Sequence, residues 1–241
     1  MCRHIAYLGP PVALEELLFT APHSLSHQAE VPRHQISGDT NPDGWGVAWY
    51  RAPQTAPDWY RTVTPVWDDD AFAARAGSLH SGAFLAAARF ASPGATLVDT
   101  GNAPFVEDTW SFSLNGIVHG FPDGVGDELR ACVGAERQAR LAGDADTEVL
   151  FALVLQHLEA GAPPAEALAT VVRDVLAITT GRLNLLLTDG ALVHATRVGN
   201  SLFRRGGVIA SEPTDDEPGW VEIPDRSVTV LTPDGAADAP L

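Results

Sequence analysis

The sequence predicts an α+β chain built on antiparallel sheets, and three observations carry that prediction. Strand-like segments lead, two amphipathic helices fill the middle, and strand-like segments return at the end. Strands and helices do not alternate one for one, as the βαβ units of a doubly wound parallel sheet require. The 241 residues are 45% hydrophobic, enough to bury one large core, with no internal repeat or linker to divide it. The expectation is one domain from residue 2 to residue 241.

"HIAYLG" reads as a first strand starting almost at the N-terminus, and "PVALEELLF" has helical spacing after a proline pair. "GWGVAWYR" and "DWYRTVTPVW" are aromatic and β-branched, and predict a hairpin across "APQTAP". "DDDAFAARAGSL" predicts a helix with acidic residues at its positive end. "AFLAAARFA" and "WSFSLNGIV" predict strands separated by a loop, and "GDELRACVG" a short helix that makes Cys132 a structural residue. "DTEVLFALVLQHLEA" and "PPAEALATVVRDVLAITT" carry the apolar stripes of packed helices. "RLNLLLTDG", "ALVHATRV", "SLFRRGGVIAS" and "SVTVLT" supply the closing strands. The tail "TPDGAADAPL", from about residue 232, is expected to fray.

The formal net charge is -16, and all 15 basic residues are arginines. A chain without lysine has no Schiff-base amine, no phosphate-loop lysine and no Ser-Lys dyad. The acidic balance argues against nucleic acid, which needs a basic footprint. No apolar run approaches the about 18 residues of a membrane span, and no secretory signal leads the chain. Two cysteines make no disulfide framework, so a cytoplasmic protein is expected. The oligomeric state is left open, a homodimer among the options.

"DTNPDG" places Asp39, Asn41, Asp43 and Gly44 at the spacing that opens a calcium loop. Tyr50 stands where the bidentate glutamate belongs, so a structured turn is expected instead. "DGVGD" lacks the context of a phosphate loop, and the eight histidines show no metal spacing. No metal and no cofactor are expected.

Cys2 poses the central question. Removal of Met1 would leave its thiol and a free α-amino group on one residue, with reference pKa values of about 8.5 and 7.7–8.0. Such an amine can accept the thiol's proton and return it to a leaving amine, so the nucleophile needs no histidine. Position alone equally allows an idle terminal residue, but the strand pattern of "RHIAYLG" would pin the thiol in place. Arg89 ends an apolar strand in "RFASPG", where its planar fork suits a carboxylate or a structural salt bridge. Asn115-Gly116 reads as a hairpin turn or as an oxyanion hole formed by the Asn115 amide and the Gly116 N–H. Asp146 opens a helix, as its N-cap or as the partner of a substrate ammonium.

Cys2, "RFASPG", the Asn-Gly pair in "FSLNGIV" and "DTE" opening a helix, in this order, resemble the class II glutamine amidotransferases, which are N-terminal nucleophile (Ntn) hydrolases. The resemblance implies a four-layer αββα sandwich with Cys2 as nucleophile and, through its amine, base. It implies Asn115 and Gly116 as oxyanion donors, and Arg89 and Asp146 as holders of the α-carboxylate and α-ammonium of a γ-glutamyl group. Ser92 stands where that family usually has threonine, with Pro93 after it. Leu114 and Ala103 replace frequent histidines. No synthetase domain follows, so a stand-alone amidohydrolase acting on a small γ-glutamyl amide is expected. "MCRHIAYLG", "NPDGWGVAWY" and "SEPTDDEPGWVEIPDRSVTV" are similar to the branch that serves ergothioneine biosynthesis. Its substrate carries a trimethylammonium group, for which Trp45, Trp49, Trp110 and the acidic "SEPTDDEPGW" loop are candidate contacts. Core packing is the alternative for the tryptophans. A glutaminase subunit feeding a separate synthetase, or a binding module without turnover, are the competing functions.

Overall fold

Alternation of apolar residues at period two, with turns rich in glycine and proline, gives the chain thirteen strands among its described residues. The structure is a computed structural model and describes residues 2–36, 38–92, 95–143 and 145–241. The removal of Met1 and the place of Pro93 lie outside the described residues. In chain order the strands are β1 (Arg3–Ala13), β2 (Trp45–Trp49), β3 (Asp58–Thr62), β4 (His80–Ala88), β5 (Phe105–Glu107), β6 (Trp110–Val118), β7 (Gly181–Thr188), β8 (Val193–Arg197), β9 (Phe203–Arg205), β10 (Val208–Ala210), β11 (Val221–Glu222), β12 (Ser227–Thr232) and β13 (Gly235–Pro240). The α-helices are α1 (Leu25–Glu30), α2 (Asp70–Ala76), α3 (Val125–Ala131), α4 (Ala135–Gln138), α5 (Asp146–Glu159) and α6 (Pro164–Ile178).

Two sheets result, in the orders β11-β9-β10-β1-β4-β2-β3 and β13-β12-β8-β7-β6-β5. Every strand pairing is antiparallel. Because side chains alternate across a strand, each sheet buries two faces. Ala6, Leu8, Leu85, Leu186 and Ala195 fill the space between the sheets. Ile5, Trp45, Val47 and Phe84 face the layer of α1 and α2. Phe112, Leu114, Leu183 and Leu185 face α5 and α6. The layers therefore run helix, sheet, sheet, helix, as expected.

Four local readings change. β1 runs on through Pro10 and Pro11 to Ala13, and the helix expected there shrinks to a π-helical turn at Glu16–Thr20. "SLFRRGGVIAS" folds into two strands, β9 and β10, paired around Gly206-Gly207. Phe105–Glu107, expected as loop, pairs with β6 as β5. The tail does not fray: Gly235–Pro240 pairs residue for residue with β12.

Candidate active site

Strand parity decides which side chains meet. Ala6 and Leu8 point between the sheets, so Cys2 and His4, in step with them, do too. Leu85 sets the same parity for Arg89, just beyond β4. In β6, Phe112 and Leu114 face the helices, which turns Ser113 and Asn115 inward. Arg3 pairs with Ala88 in the β1–β4 ladder, and one further step of that register sets Cys2 opposite Arg89. Three candidate residues, Cys2, Arg89 and Asn115, thus share the inter-sheet space at one end of the sandwich.

The Cys2 thiol is half-buried, with Sγ 3.9 Å from the Phe90 carbonyl oxygen. Burial pushes its pKa up; the Phe90 backbone and the Arg89 charge act the other way, and the Asp146 charge adds to the rise. A raised thiol is mostly protonated near neutral pH, so it needs a base. His4 does not supply one. It is fully buried, its Nδ1 lies 3.0 Å from Ser113 Oγ, and burial, helped by the Arg3 charge, lowers its pKa to about 3.

Arg89 is braced by the "NPDG" loop, which explains that motif. The Arg89 N–H donates to Gly44 O at 2.8 Å, the Asp43 N–H donates to Arg89 O at 3.1 Å, and Asp43 Oδ2 accepts the Ala91 N–H at 2.8 Å. Gly44 has φ +103°, and a Cβ there would lie 2.3 Å from Thr62 O, so glycine is required. The expected structured turn is present, and the described residues contain no group of ligands fit for a metal. Arg89 Nη1 is buried without a hydrogen-bond partner among the described residues. An unpaired buried guanidinium nitrogen whose charge is felt at Cys2 and Asp146 suits an incoming carboxylate.

Asn115-Gly116 is not a hairpin turn; both residues lie inside β6, opposite Asn184 and Leu183. A Cβ on Gly116 would fall 1.7 Å from Arg182 O, so the close approach of β7 demands glycine. Asn115 is fully buried, donates from Nδ2 to Ser211 Oγ at 3.1 Å, and accepts from Asn200 Nδ2.

Asp146 is the first residue of α5 rather than its N-cap, which is Ala145. Its Oδ1 accepts the Thr147 N–H at 2.7 Å and its Oδ2 accepts the Val118 N–H at 3.3 Å. Burial raises its pKa, while those two N–H groups and the Arg89 charge hold it down.

The other expected contacts separate from this cluster. Trp45 is fully buried on the opposite face of its sheet, donating from Nε1 to Asp69 Oδ2 and edge-on to Phe72 at 4.9 Å. Trp49 belongs to the same helix-facing core. Trp110 packs against the helical side of the second sheet, five residues along β6 from Asn115. These tryptophans serve packing, and the structure does not bring them to Cys2. Ser92 is exposed, and its carbonyl accepts the Ala95 N–H. In the acidic loop, Asp215 pairs with Arg205 and Trp220, and Asp216 with His23 and Arg33, so these carboxylates are already satisfied internally. Cys132 is an exposed thiol at the C-terminal cap of α3.

The sequence reading missed Arg3, His4, Asn200, Ser211 and Glu212, all buried. Arg3 Nε lies 3.3 Å from Glu212 Oε1, and both Glu212 oxygens also accept backbone N–H groups from Arg33 and His34. That pair ties the start of β1, beside Cys2, to two loops. The available signal was the Arg3-His4 pair inside the otherwise apolar period of β1; Asn200, Ser211 and Glu212 lie outside the strands and gave none.

Two face-to-face antiparallel sheets between helical layers, with a cysteine at the head of a central strand, make the frame of an N-terminal nucleophile hydrolase. Residues 19–205 match the glutamine amidotransferases class-II family, and the chain belongs to that family. It is 34% identical over 240 residues to the gamma-glutamyl-hercynylcysteine sulfoxide hydrolase of Mycobacterium tuberculosis strain CDC 1551, covering 98% of this chain and 94% of that protein. The protein of the same name from Mycolicibacterium smegmatis is 36% identical over 231 residues, covering 94% and 93%. A glutamine aminotransferase class-II domain protein from Silicibacter pomeroyi superposes with a TM-score of 0.69 at 27% identity, over 99% of this chain and 98% of that one. The glutamine PRPP amidotransferase of B. subtilis shares the fold at a TM-score of 0.66 and 14% identity, over 99% of this chain and 49% of that one.

Proposed function

We propose that this protein hydrolyses the γ-glutamyl amide of γ-glutamyl-hercynylcysteine sulfoxide, releasing glutamate and hercynylcysteine sulfoxide as a step of ergothioneine biosynthesis in the cytoplasm. The observation that carries the reading is geometric: the β1–β4 register sets Cys2 opposite Arg89, whose buried Nη1 has no hydrogen-bond partner among the described residues, and Asp146 is tied to the end of the strand that carries Asn115 and Gly116. One thiol, one cation and one carboxylate match the reacting carbonyl, the α-carboxylate and the α-ammonium of a γ-glutamyl group. The relatives named for that substrate, matched over nearly the whole chain, supply its identity.

Removal of Met1 exposes the Cys2 amine, which takes the thiol proton. The thiolate attacks the γ-carbonyl, and the oxyanion is received by the Asn115 amide and the Gly116 N–H; one such donor is worth about 10²–10³ in rate. Collapse breaks the C–N bond, the Cys2 ammonium gives its proton to the departing nitrogen, and a γ-glutamyl thioester remains. The amine then draws a proton from water as it attacks the thioester, and glutamate leaves with the thiol restored. Arg89 and Asp146 hold the glutamyl end through both halves. No cofactor takes part.

The test is glutamate release by the Met1-processed protein from γ-glutamyl-hercynylcysteine sulfoxide, glutamine and glutathione, with Cys2→Ala as control. Preference for the sulfoxide, lost in Cys2→Ala, is the expected result. Preference for glutamine would replace the reading with an ammonia-supplying subunit. No release from any of the three would leave a binding module.

A further inference from the structure

A fully buried amide side chain that serves as an oxyanion donor must present nitrogen, not oxygen, toward the reacting carbonyl. Asn200 settles that orientation for Asn115, and the bonding of Ser211 agrees with it. The Ser211 hydroxyl has one proton, which it donates to His4 O at 3.3 Å, while its oxygen accepts the His4 N–H at 3.0 Å. With its proton directed to His4 O, that oxygen presents a lone pair to the Asn115 atom 3.1 Å away, which suits Nδ2. From the other side, Asn200 Nδ2 lies 2.9 Å from the Asn115 carbonyl oxygen, which only accepts, and 3.3 Å from Asn115 Oδ1. Asn200 must therefore offer its amino group, and Asn115 must offer oxygen to it. Both constraints give the same orientation.

Ser211 does more than orient. It contacts His4 in β1, two residues from Cys2, and Asn115 in β6, in the other sheet. Asn200 is held in turn, its carbonyl accepting from Arg197 Nε at 2.9 Å and Asn184 Nδ2 at 3.3 Å. Ser211, Asn115, Asn184 and Asn200 are all essentially without solvent exposure, where such bonds are strong and their loss is costly.

We propose that Ser211 and Asn200 are positioning residues for the hydrolytic reaction. They lock the Asn115 amide with one hydrogen committed to Ser211 and the other left for the oxyanion, and Ser211 fixes the distance between the nucleophile's strand and the donor's strand. This rests on the oxyanion role given to Asn115 above.

The test compares Asn115→Ala, Ser211→Ala and Asn200→Asp, measuring kcat and KM for γ-glutamyl amide hydrolysis. Alongside, the rate of Cys2 alkylation by iodoacetamide is read on the Cys2 peptide, because Cys132 is also an exposed thiol. Alkylation displaces iodide at a saturated carbon and forms no oxyanion. Asn200→Asp places acceptors where Asn115 needs donors, which favours the inverted amide. The expected result is a loss of about 10- to 100-fold in kcat for Ser211→Ala and Asn200→Asp, with KM and alkylation within about two-fold of the parent. Parent-like kcat in Ser211→Ala, with Asn115→Ala slow, would overturn the clamp alone. Parent-like kcat in Asn115→Ala would overturn the oxyanion assignment and the clamp with it. Alkylation falling in step with kcat would reduce the effect to general loss of the site. Ser211→Ala decides the matter if Asn200→Asp does not fold.

Discussion

Asp146 Oδ2 accepts the backbone N–H of Val118 at 3.3 Å, which ties the first turn of α5 to the strand that carries Asn115 and Gly116. Both oxygens of this carboxylate accept backbone N–H groups, Oδ1 from Thr147 and Oδ2 from Val118, and the charge itself is buried. Burial disfavours the charge, and the pKa rises accordingly. A substrate ammonium would restore it, so binding and ionisation are coupled at this residue.

Asp146→Asn keeps an acceptor for Val118 and removes the charge. The expected outcome is a fall in kcat/KM of about 30- to 1,000-fold, corresponding to the ~2–5 kcal/mol of a truncated buried charge pair. The pH profile gives the sign. Binding of an ammonium requires the ionised carboxylate, so kcat/KM of the parent falls as pH drops through the raised pKa, above the ordinary carboxylate range. Asp146→Asn should lack that limb. A parent-like profile in the variant would remove Asp146 from substrate binding.

The Cys2 amine can act as base only when nothing precedes it. An uncleaved N-terminal extension should lower kcat by about 10²–10⁴, the usual worth of a general acid–base group, and leave the fold and melting temperature unchanged. Kinetic assay of extended and processed chains checks this. Full turnover with the extension attached would exclude the amine as base, and His4, whose pKa is lowered to about 3, is too weak a base to replace it.

Much of this architecture was legible because period-two and helical apolar patterns survive in sequence. β4, β6, α5 and α6 stand where those patterns put them. Arg89 was noticeable in the sequence as a cation ending an apolar strand, and Asp146 as an acid just before an amphipathic helix. Ser211 and Asn200 were not, since their meaning lies in contacts between residues 85 and 207 positions apart, and no local pattern encodes them. The tryptophans failed for a different reason. A Trp suits a cation or a core equally well, and only the face of β2 on which Trp45 falls decides between them. β13 was misread because small residues look like a loose tail until the register with β12 is visible.

Trp45→Phe should therefore act on stability and not on substrate. The variant strips one of three donors from Asp69, which keeps Tyr60 Oη and the Phe72 N–H. It also leaves a small void beside Phe72. A loss of about 1–3 kcal/mol in urea unfolding is expected, with KM for the sulfoxide within two-fold of the parent. A rise in KM at unchanged stability would return Trp45 to the substrate.

His4 gives the last prediction, and its sign is opposite to that of a histidine that gains an anionic partner. Its folded pKa is about 3, against 6.5 for the free side chain. Below pH 6.5 the unfolded chain takes up a proton that the folded chain refuses. The stability that His4 contributes is therefore complete at neutral pH and is lost as pH falls from about 6.5 toward 3. At ~1.4 kcal/mol for each pH unit, the loss from this residue is about 2 kcal/mol by pH 5. Asp146, with a raised carboxyl pKa, acts in the opposite direction, so bulk unfolding alone would mix the two. Ring nitrogen shifts read by NMR separate them. His4 should keep the pattern of a neutral imidazole from pH 8 down to about 5, through the range where an unperturbed histidine titrates. A His4 ring that titrates near 6.5 would mean the inter-sheet space beside Cys2 is wet. The imidazole would then compete with the α-amine for the role of base.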